Sequence, residues 1–227
     1  KYIAAALASK KSYDLIYTIH NQDKENNDNA RKVASSAFAL SQNYLKTNNL
    51  ELSELYAEKT IELLNEITED QLLLETDEYH YAITNLQLGT ILSLKENYSS
   101  AREYLQLSIE QFTSLITAFP ENINYQFQLT RALGKEADNA FVLSDSNAVL
   151  INNDSIELLR NLINNEEREV FKYELGWRPH TFSKSLLSEG EYSAARTQAN
   201  SALTILKEIR KTEPSNINYQ HKTSEIY

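Results

Sequence analysis

The 227-residue chain contains no cysteine and no methionine, and it has only 4 glycines and 3 prolines. Without cysteine it forms no disulfides, no thiol nucleophiles and no zinc–thiolate sites. So few turn-forming residues argue against a β-rich fold, which needs many of them at this length. No apolar run approaches the roughly 20 residues that span a membrane, and no signal peptide is visible.

Basic residues are also scarce: 22 Lys and Arg face 32 Asp and Glu, for a formal net charge of −10. This balance argues against extensive contact with nucleic acid or anionic lipid, because both require a basic surface. The absence of an initiating methionine suggests a fragment or a processed form. The lack of cysteine is compatible with the cytoplasm and the periplasm, and we favour the cytoplasm.

What the sequence does contain is an internal repeat. PENINYQ at 120–126 and PSNINYQ at 214–220 agree at six of seven positions, 94 residues apart. The same offset pairs residues upstream: Tyr98 with Tyr192, Ala101 with Ala195, and Arg102 with Arg196. Turn signals recur at about half that distance: Asn48-Asn49, Asn97-Tyr98, Asp145-Ser146 and Gly190-Glu191. One unit of about 47 residues accommodates two helices of roughly 20 residues and two short turns.

Within the units, the spacing of apolar residues predicts helices. In 98–118, apolar or small residues fall three and four positions apart, the spacing of one helix stripe, and 192–209 repeats the pattern. Pro179 lies inside a predicted helix and predicts a kink there or a later helix start. The pattern predicts nine helices, near 2–19, 30–46, 51–67, 75–95, 98–118, 122–142, 147–164, 167–188 and 192–211, and the start of a tenth near Ser215.

The predicted fold is an all-α solenoid of antiparallel helix pairs with about nine to ten helices. An N-terminal helix and an Asn-rich loop occupy 1–29, and the repeat array occupies 30–227. Its units are 30–72, 73–120, 121–165, 166–214 and a truncated unit 215–227. We expect Ala101 and Ala195 to be buried at equivalent helix crossings. The truncated unit would leave apolar residues uncovered, so we also expect a homodimer through this end.

The repeats resemble the tetratricopeptide repeat (TPR). The residues that follow its pattern are Leu88-Gly89, Leu92, Tyr98, Ala101, Leu105, Ser108 and Pro120, and then Gly190, Tyr192, Ala195, Ala199, Ala202 and Pro214. Family repeats run about 34 residues, whereas these run about 47. YELGW at 173–177 and the motif at 214–220 look like long-helix repeats of bacterial regulators that carry kinase or DNA-binding domains. The resemblance implies a superhelix whose first helices line a concave groove for a protein or peptide.

No catalytic constellation stands out. Gly134-Lys135 lacks the preceding glycine and the following Ser or Thr of a phosphate-binding loop. The four histidines lack metal-ligand spacing. We therefore expect no enzymatic activity, no metal and no cofactor. Tyrosine is abundant, with 14 copies, and its repeat-equivalent copies are interpreted as helix packing: Tyr98, Tyr125, Tyr192 and Tyr219.

The candidate binding residues form two sets of three on successive first helices. Arg131, Lys135 and Asn139 are spaced four apart, and the next first helix carries Trp177, His180 and Lys184. We expect these six residues to converge on one concave face and bind an acidic group. Family members clamp a peptide's terminal carboxylate with Lys and Asn, which Lys135 and Asn139 resemble locally. The alternative is a solvated face on which the cations pair with Glu136 or Asp138.

Two functional hypotheses follow. In the first, the chain is a non-catalytic interaction or scaffold module of a larger bacterial regulatory protein, and its groove binds a peptide or a partner domain. In the second, it is a ligand-sensing regulatory domain that binds a small molecule and controls an attached kinase or DNA-binding domain. An open groove favours the first hypothesis, and a closed pocket lined by Trp177 favours the second.

Overall fold

The computed structural model describes residues 2–70, 74–166, 168–188 and 190–212. Within these ranges the chain forms nine helices and no strand. The helices are α1 (Tyr2–Gln22), α2 (Asn27–Lys46), α3 (Leu50–Asp70), α4 (Glu75–Leu94), α5 (Tyr98–Ala118), α6 (Ile123–Val142), α7 (Ala148–Asn165), α8 (Glu169–Ser188) and α9 (Tyr192–Thr212). The predicted all-α class is confirmed. The predicted tenth helix and the expected dimer interface lie outside the described residues.

Consecutive helices pack in pairs, which is the arrangement of an all-α helical repeat. The chain divides into two compact units, Lys1–Pro120 and Glu121–Tyr227, here called unit 1 and unit 2. In unit 1, α2 pairs with α3 and α4 with α5, while α1 packs on α2. In unit 2, α6 pairs with α7 and α8 with α9. The first helices of successive pairs also touch, α2 with α4 and α6 with α8.

All four pairs are joined by the same turn. One residue after each first helix has a left-handed backbone, and these residues lie 46 to 48 positions apart: Asn48, Glu96, Ser144 and Gly190. The N–H of the following residue reaches back to a carbonyl five positions earlier, as in a Schellman motif. These bonds are Asn49 to Tyr44 (3.0 Å), Asn97 to Leu92 (2.9 Å), Asp145 to Ala140 (2.8 Å) and Glu191 to Leu186 (2.9 Å). The predicted turns therefore lie where the repeat placed them.

A second feature repeats inside the pairs. A buried hydroxyl of the second helix donates to a carbonyl of the first helix in two pairs: Ser108 to Ala82 (2.8 Å) and Ser155 to Thr130 (2.8 Å). The equivalent Thr60 hydroxyl donates to Tyr56 of its own helix at 2.8 Å and lies 3.5 Å from the Ala34 carbonyl oxygen. In the fourth pair the fully buried Ala202 follows Ser155 at the same interval. A small side chain lets the two backbones approach, and where it is polar a backbone carbonyl accepts its hydrogen bond.

Small residues also mark the tightest crossings. A Cβ on Gly89 would lie 2.5 Å from Leu105 Cγ, and a Cβ on Gly176 would lie 2.5 Å from Leu206 Cδ2. Ala101 and Ala195 are 0% and 6% exposed, so their predicted burial is confirmed. Ala101 and Ala195, which the 94-residue repeat pairs, are therefore buried at corresponding positions of α5 and α9.

Pro179 does not delay the start of α8. The helix begins at Glu169, continues through the buried Pro179 and ends at Ser188. Proline has no N–H to give to the preceding turn. The helix starts well before Pro179, so the proline does not determine where α8 begins. Tyr192 departs from the expected packing role of the tyrosines, because it is 72% exposed.

Candidate functional site

The structure brings the three predicted residues of α8 together. The Trp177 and His180 rings are 4.8 Å apart, and Lys184 Nζ lies 5.9 Å from the centre of the Trp177 ring. An ammonium at that distance is attracted by the negative face of an indole. Lys184 is exposed and Trp177 is partly exposed, but His180 is buried. Of these three residues, Trp177 and Lys184 are therefore the two that reach the protein surface.

The three predicted residues of α6 divide differently. Arg131 and Lys135 are exposed, one helical turn apart, and Arg131 Nη1 donates to Gln128 Oε1 at 2.9 Å. Asn139 is only 1% exposed, so the stripe expected from its spacing reaches the surface only at its first two positions. A carboxylate clamp that uses the Asn139 amide would need an access route to this buried side chain.

Helices α6 and α8 lie side by side and run in the same direction. Three contacts follow in chain order: Phe127 against Phe171, Asp138 against Arg178, and Phe141 against Phe182. Gly134 also faces this contact, since a Cβ there would lie 3.1 Å from Arg178 Cδ. These residues define the side that each helix turns toward the other.

Lys135 and Trp177 lie on the same side of the layer that α6 and α8 form. Lys135 follows Gly134 by one residue, whereas Trp177 precedes Arg178 by one residue. One residue turns a helix by about 100°. Because the two helices are parallel, one residue forward on α6 and one residue backward on α8 turn both side chains toward the same side of the layer. Arg131 lies one turn before Lys135, and Lys184 reaches the Trp177 ring. All four side chains therefore lie on this side of the layer.

The second helices pack on the opposite side of that layer. On α6 the contact is Thr130 with Ser155 of α7, and on α8 it is Gly176 with Leu206 of α9. Four of the residues on the free side are Arg131, Lys135, Lys184 and the partly exposed Trp177, and we call these four the cationic face.

The most constrained polar group of unit 2 was not singled out from the sequence. Arg178 is 5% exposed and makes a two-pronged ion pair with Asp138, in which Nη1 lies 2.9 Å from Oδ2 and Nη2 contacts Oδ1. Its Nε donates to Asn152 Oδ1 at 2.9 Å. The guanidinium thus joins α6, α7 and α8. A glycine at 134 inside a helix, opposite an arginine, is the sequence signal for this close approach.

This ion pair bears on the cationic face. The sequence left open whether Asp138 neutralises the exposed cations, and the structure shows it bound to Arg178 instead. Glu136, the other candidate acid, is 3% exposed and so is not part of the solvated surface. Exposed positive charge on the free side of α6 and α8 is consistent with an acidic ligand.

Two chemical properties can be stated for the described ranges. They contain no cluster of three or more His, Cys, Asp or Glu side chains arranged to hold a metal ion. Nor does any helix in them combine the length and the apolarity that a membrane crossing requires.

Comparison with known proteins supports the architecture. The crystal structure of BtubC (BKLC) from P. vanneervenii superposes with a TM-score of 0.63 at 11% identity, over 100% of this chain and 83% of that chain. At this identity the similarity shows the fold alone. A chain from a computational design of self-assembling cyclic protein homooligomers gives a TM-score of 0.36 at 14% identity, over 99% and 91% of the two chains, and supports no conclusion. No family model and no curated protein matches the sequence.

Proposed function

We propose that the chain is a non-catalytic interaction module of TPR-like repeats, and that its cationic face binds an acidic segment of a protein or peptide partner. The TPR-like assignment is supported by Gly89 and Ala101, which follow the family pattern and occupy a tight helix crossing. As in the long-helix repeats that it resembles, the module would belong to a larger bacterial regulatory protein.

The observation that carries this proposal is the location of the exposed cations. The chain as a whole has a net charge of −10, yet three cations lie on the free side of α6 and α8. Asp138, one of the two acids that the sequence offered to neutralise them, is engaged by Arg178. A local positive surface attracts an anionic segment, while the net negative charge of the whole chain disfavours contact with acidic proteins elsewhere on its surface.

The geometry favours an extended contact over a single clamp. Arg131 and Lys135 are one turn apart on α6, and Lys184 and Trp177 form a second group on α8. Because an exposed ion pair contributes only about 0–1 kcal/mol, useful affinity requires several pairs. A partly exposed tryptophan adds contact area, the property that makes this residue frequent among the strongest interface contacts. The expected ligand is therefore a segment with several carboxylates and an apolar or aromatic side chain.

Trp177 is the only tryptophan, so its fluorescence reports on the proposed site. An array of acidic peptides should be screened with the chain, and the best binder titrated while Trp177 emission is followed. We expect a saturable change that weakens in 0.3 M salt, because salt screens exposed charges. The variant Lys135→Glu, Lys184→Glu should retain its helical circular dichroism and lose the binding.

A matched control is available on the same unit. Lys211 is exposed on α9, so Lys211→Glu makes the same type of charge reversal away from the cationic face. This control should bind the peptide like the parent chain. Equal weakening by Lys211→Glu and by Lys135→Glu would indicate a general charge effect and contradict the proposal. Undiminished binding by the double variant would also contradict it.

A further inference from the structure

A second concave site lies at the turns of unit 2, apart from the cationic face. Its cavity has a volume of about 360 Å³ and lies between the turn that joins α6 to α7 and the turn that joins α8 to α9. Ligand sites have volumes of roughly 300–1,000 Å³. The apolar lining comes from Phe141, Ala148, Val149, Leu186 and Ala194. We call this site the turn cavity.

Exposed apolar residues adjoin the turn cavity along the chain. Val142, Leu143 and Val149 are each at least 38% exposed, and Leu187 and Tyr192 are 54% and 72% exposed. Val149 lines the cavity itself, and each of the other four is the direct chain neighbour of a lining residue. Single apolar residues on a surface are ordinary, whereas several beside a concavity favour an interaction site.

The turn itself does not require these apolar residues. The left-handed residues Asn48 and Glu96 of unit 1 are preceded by Thr47 and Lys95, whereas Ser144 is preceded by Leu143. All these turns close with the same backbone hydrogen bonds. The apolar character at 141–143 is therefore not explained by turn formation.

Two acidic residues also line the turn cavity. Asp145 and Glu191 occupy the same position in their turns, directly after the left-handed residue. Their backbone N–H groups close the turns at 2.8 Å and 2.9 Å, so the backbone holds both residues in place at the cavity. The cavity thus has an apolar part beside a polar part that contains two carboxylates, and it complements a ligand with an apolar side chain next to positive charge.

We propose that the turn cavity binds a peptide segment in which an apolar side chain is flanked by Lys or Arg. The apolar side chain occupies the cavity, and the flanking cations pair with Asp145 and Glu191. This goes beyond the proposed function, because it assigns a second site with the opposite charge preference. It does not depend on the cationic face, so either site can be disproved while the other stands.

Three synthetic hexapeptides test the proposal: Ac-GKFLKG-NH2, Ac-GAFLAG-NH2 and Ac-GEFLEG-NH2. Methyl NMR of the full chain, labelled at Leu and Val, follows Val149 and Leu186. The Lys peptide should shift these signals in a saturable manner and bind roughly five- to tenfold more tightly than the Glu peptide, as two exposed ion pairs allow. Absence of a saturable shift with any peptide, or a preference for the Glu peptide, would overturn the proposal.

Charge reversal in the cavity sharpens the test. Glu191→Lys should weaken the Lys peptide and strengthen the Glu peptide, whereas Asn97→Lys, at the equivalent turn position of unit 1, should change neither. Val149→Glu should abolish binding, with circular dichroism checking the fold. If sedimentation shows self-association that Val149→Glu removes, a second copy of the chain occupies the cavity, and the peptide assignment is wrong.

Discussion

The two units join their first helices with the same chemistry in different places. In unit 1, Arg31 of α2 donates from Nε to both oxygens of Asp77, at 3.1 Å and 2.9 Å, near the start of α4. In unit 2, Arg178 of α8 pairs with Asp138 in the interior of both helices. In each unit an Arg–Asp pair thus joins the first helices, with the arginine on the earlier helix in unit 1 and on the later helix in unit 2.

The neighbours of the two pairs also differ. Asp77 accepts the backbone N–H of Leu74 at 3.1 Å, so in unit 1 the pair also supports a helix start. The middle of unit 1 is joined by neutral groups instead, with Gln87 Nε2 donating to Ser41 Oγ at 2.5 Å. In unit 2 the ion pair lies in the middle of the helices, where Gly134 leaves room for the Arg178 side chain, and it engages the acid that the sequence offered to the exposed cations.

The largest effect is expected from breaking the interior pair. Asp138→Ala leaves the Arg178 guanidinium buried without its carboxylate, which costs roughly 3 kcal/mol of unfolding free energy. Asp77→Ala should cost less, about 1–2 kcal/mol, because Arg31 is more exposed and Asp28 lies 3.4 Å away. Urea unfolding measures both values, with Asp28→Ala as the near-neutral control. A larger cost for Asp77→Ala than for Asp138→Ala would contradict the comparison.

The second prediction concerns equivalent crossings. Ala101→Leu and Ala195→Leu should each overpack a helix contact and cost roughly 1–3 kcal/mol, with Ala101→Leu the more costly because Ala101 is fully buried. Thermal unfolding followed by circular dichroism should show a lower Tm for both. Thr113→Leu, at an exposed position of α5, serves as the control. An unchanged Tm for either alanine variant would mean that the two crossings are not equivalent.

The third prediction concerns the stability of unit 1 at alkaline pH. Burial raises the pKa of Tyr13 from 10.0 to about 12, with smaller contributions from Tyr17 and Tyr56. The fold therefore favours the neutral phenol. Its stabilising contribution is complete below about pH 10 and is lost as pH rises through about 12.

Tyr13→Phe should therefore make the unfolding free energy less dependent on pH between 10 and 12. Tyr192→Phe, at an exposed position of unit 2, is the control and should keep the parent's dependence. Urea unfolding at a series of pH values measures both variants. Identical pH dependence in Tyr13→Phe and the parent chain would argue against a buried neutral phenol.

The smallest effects should come from the turns. Glu96 holds a left-handed backbone with φ of 60°, which a side chain disfavours, so Glu96→Gly should stabilise unit 1 by about 0.5 kcal/mol. Gly190 has φ of 82°, so Gly190→Ala should destabilise unit 2 by about 1 kcal/mol. Differences in Tm measure both. If the two substitutions shift Tm in the same direction, backbone strain does not determine these turns.

Much of the fold could be predicted from the sequence because its determinants are local. Apolar spacing and turn residues placed all nine described helices, with every predicted end within three residues of the observed one. Helix α5 was predicted at 98–118 and is Tyr98–Ala118. The left-handed Glu96 and Ser144 were not anticipated, since neither is a residue type that marks such a backbone.

The site was less predictable because its determinants join distant helices. The pairing of Arg178 with Asp138 spans 40 residues, and its one local hint is the glycine at 134, which does not identify the partner. The spacing of Asn139 and His180 correctly placed them on helices, but their burial depends on what surrounds those helices. Lys135 and Trp177 were predicted to share a face. The sequence of contacts between α6 and α8 shows that the helices are parallel, and from this it follows that the two residues lie on one side.

The most direct test of the account is amide hydrogen exchange of the chain with and without the best acidic peptide from the array. We predict slower exchange in 131–139 of α6 and 177–188 of α8, with α7 and α9 unchanged, because the peptide covers the free side of the first helices. Protection confined to α7 and α9, or to unit 1, would contradict the claim that the cationic face is the binding surface.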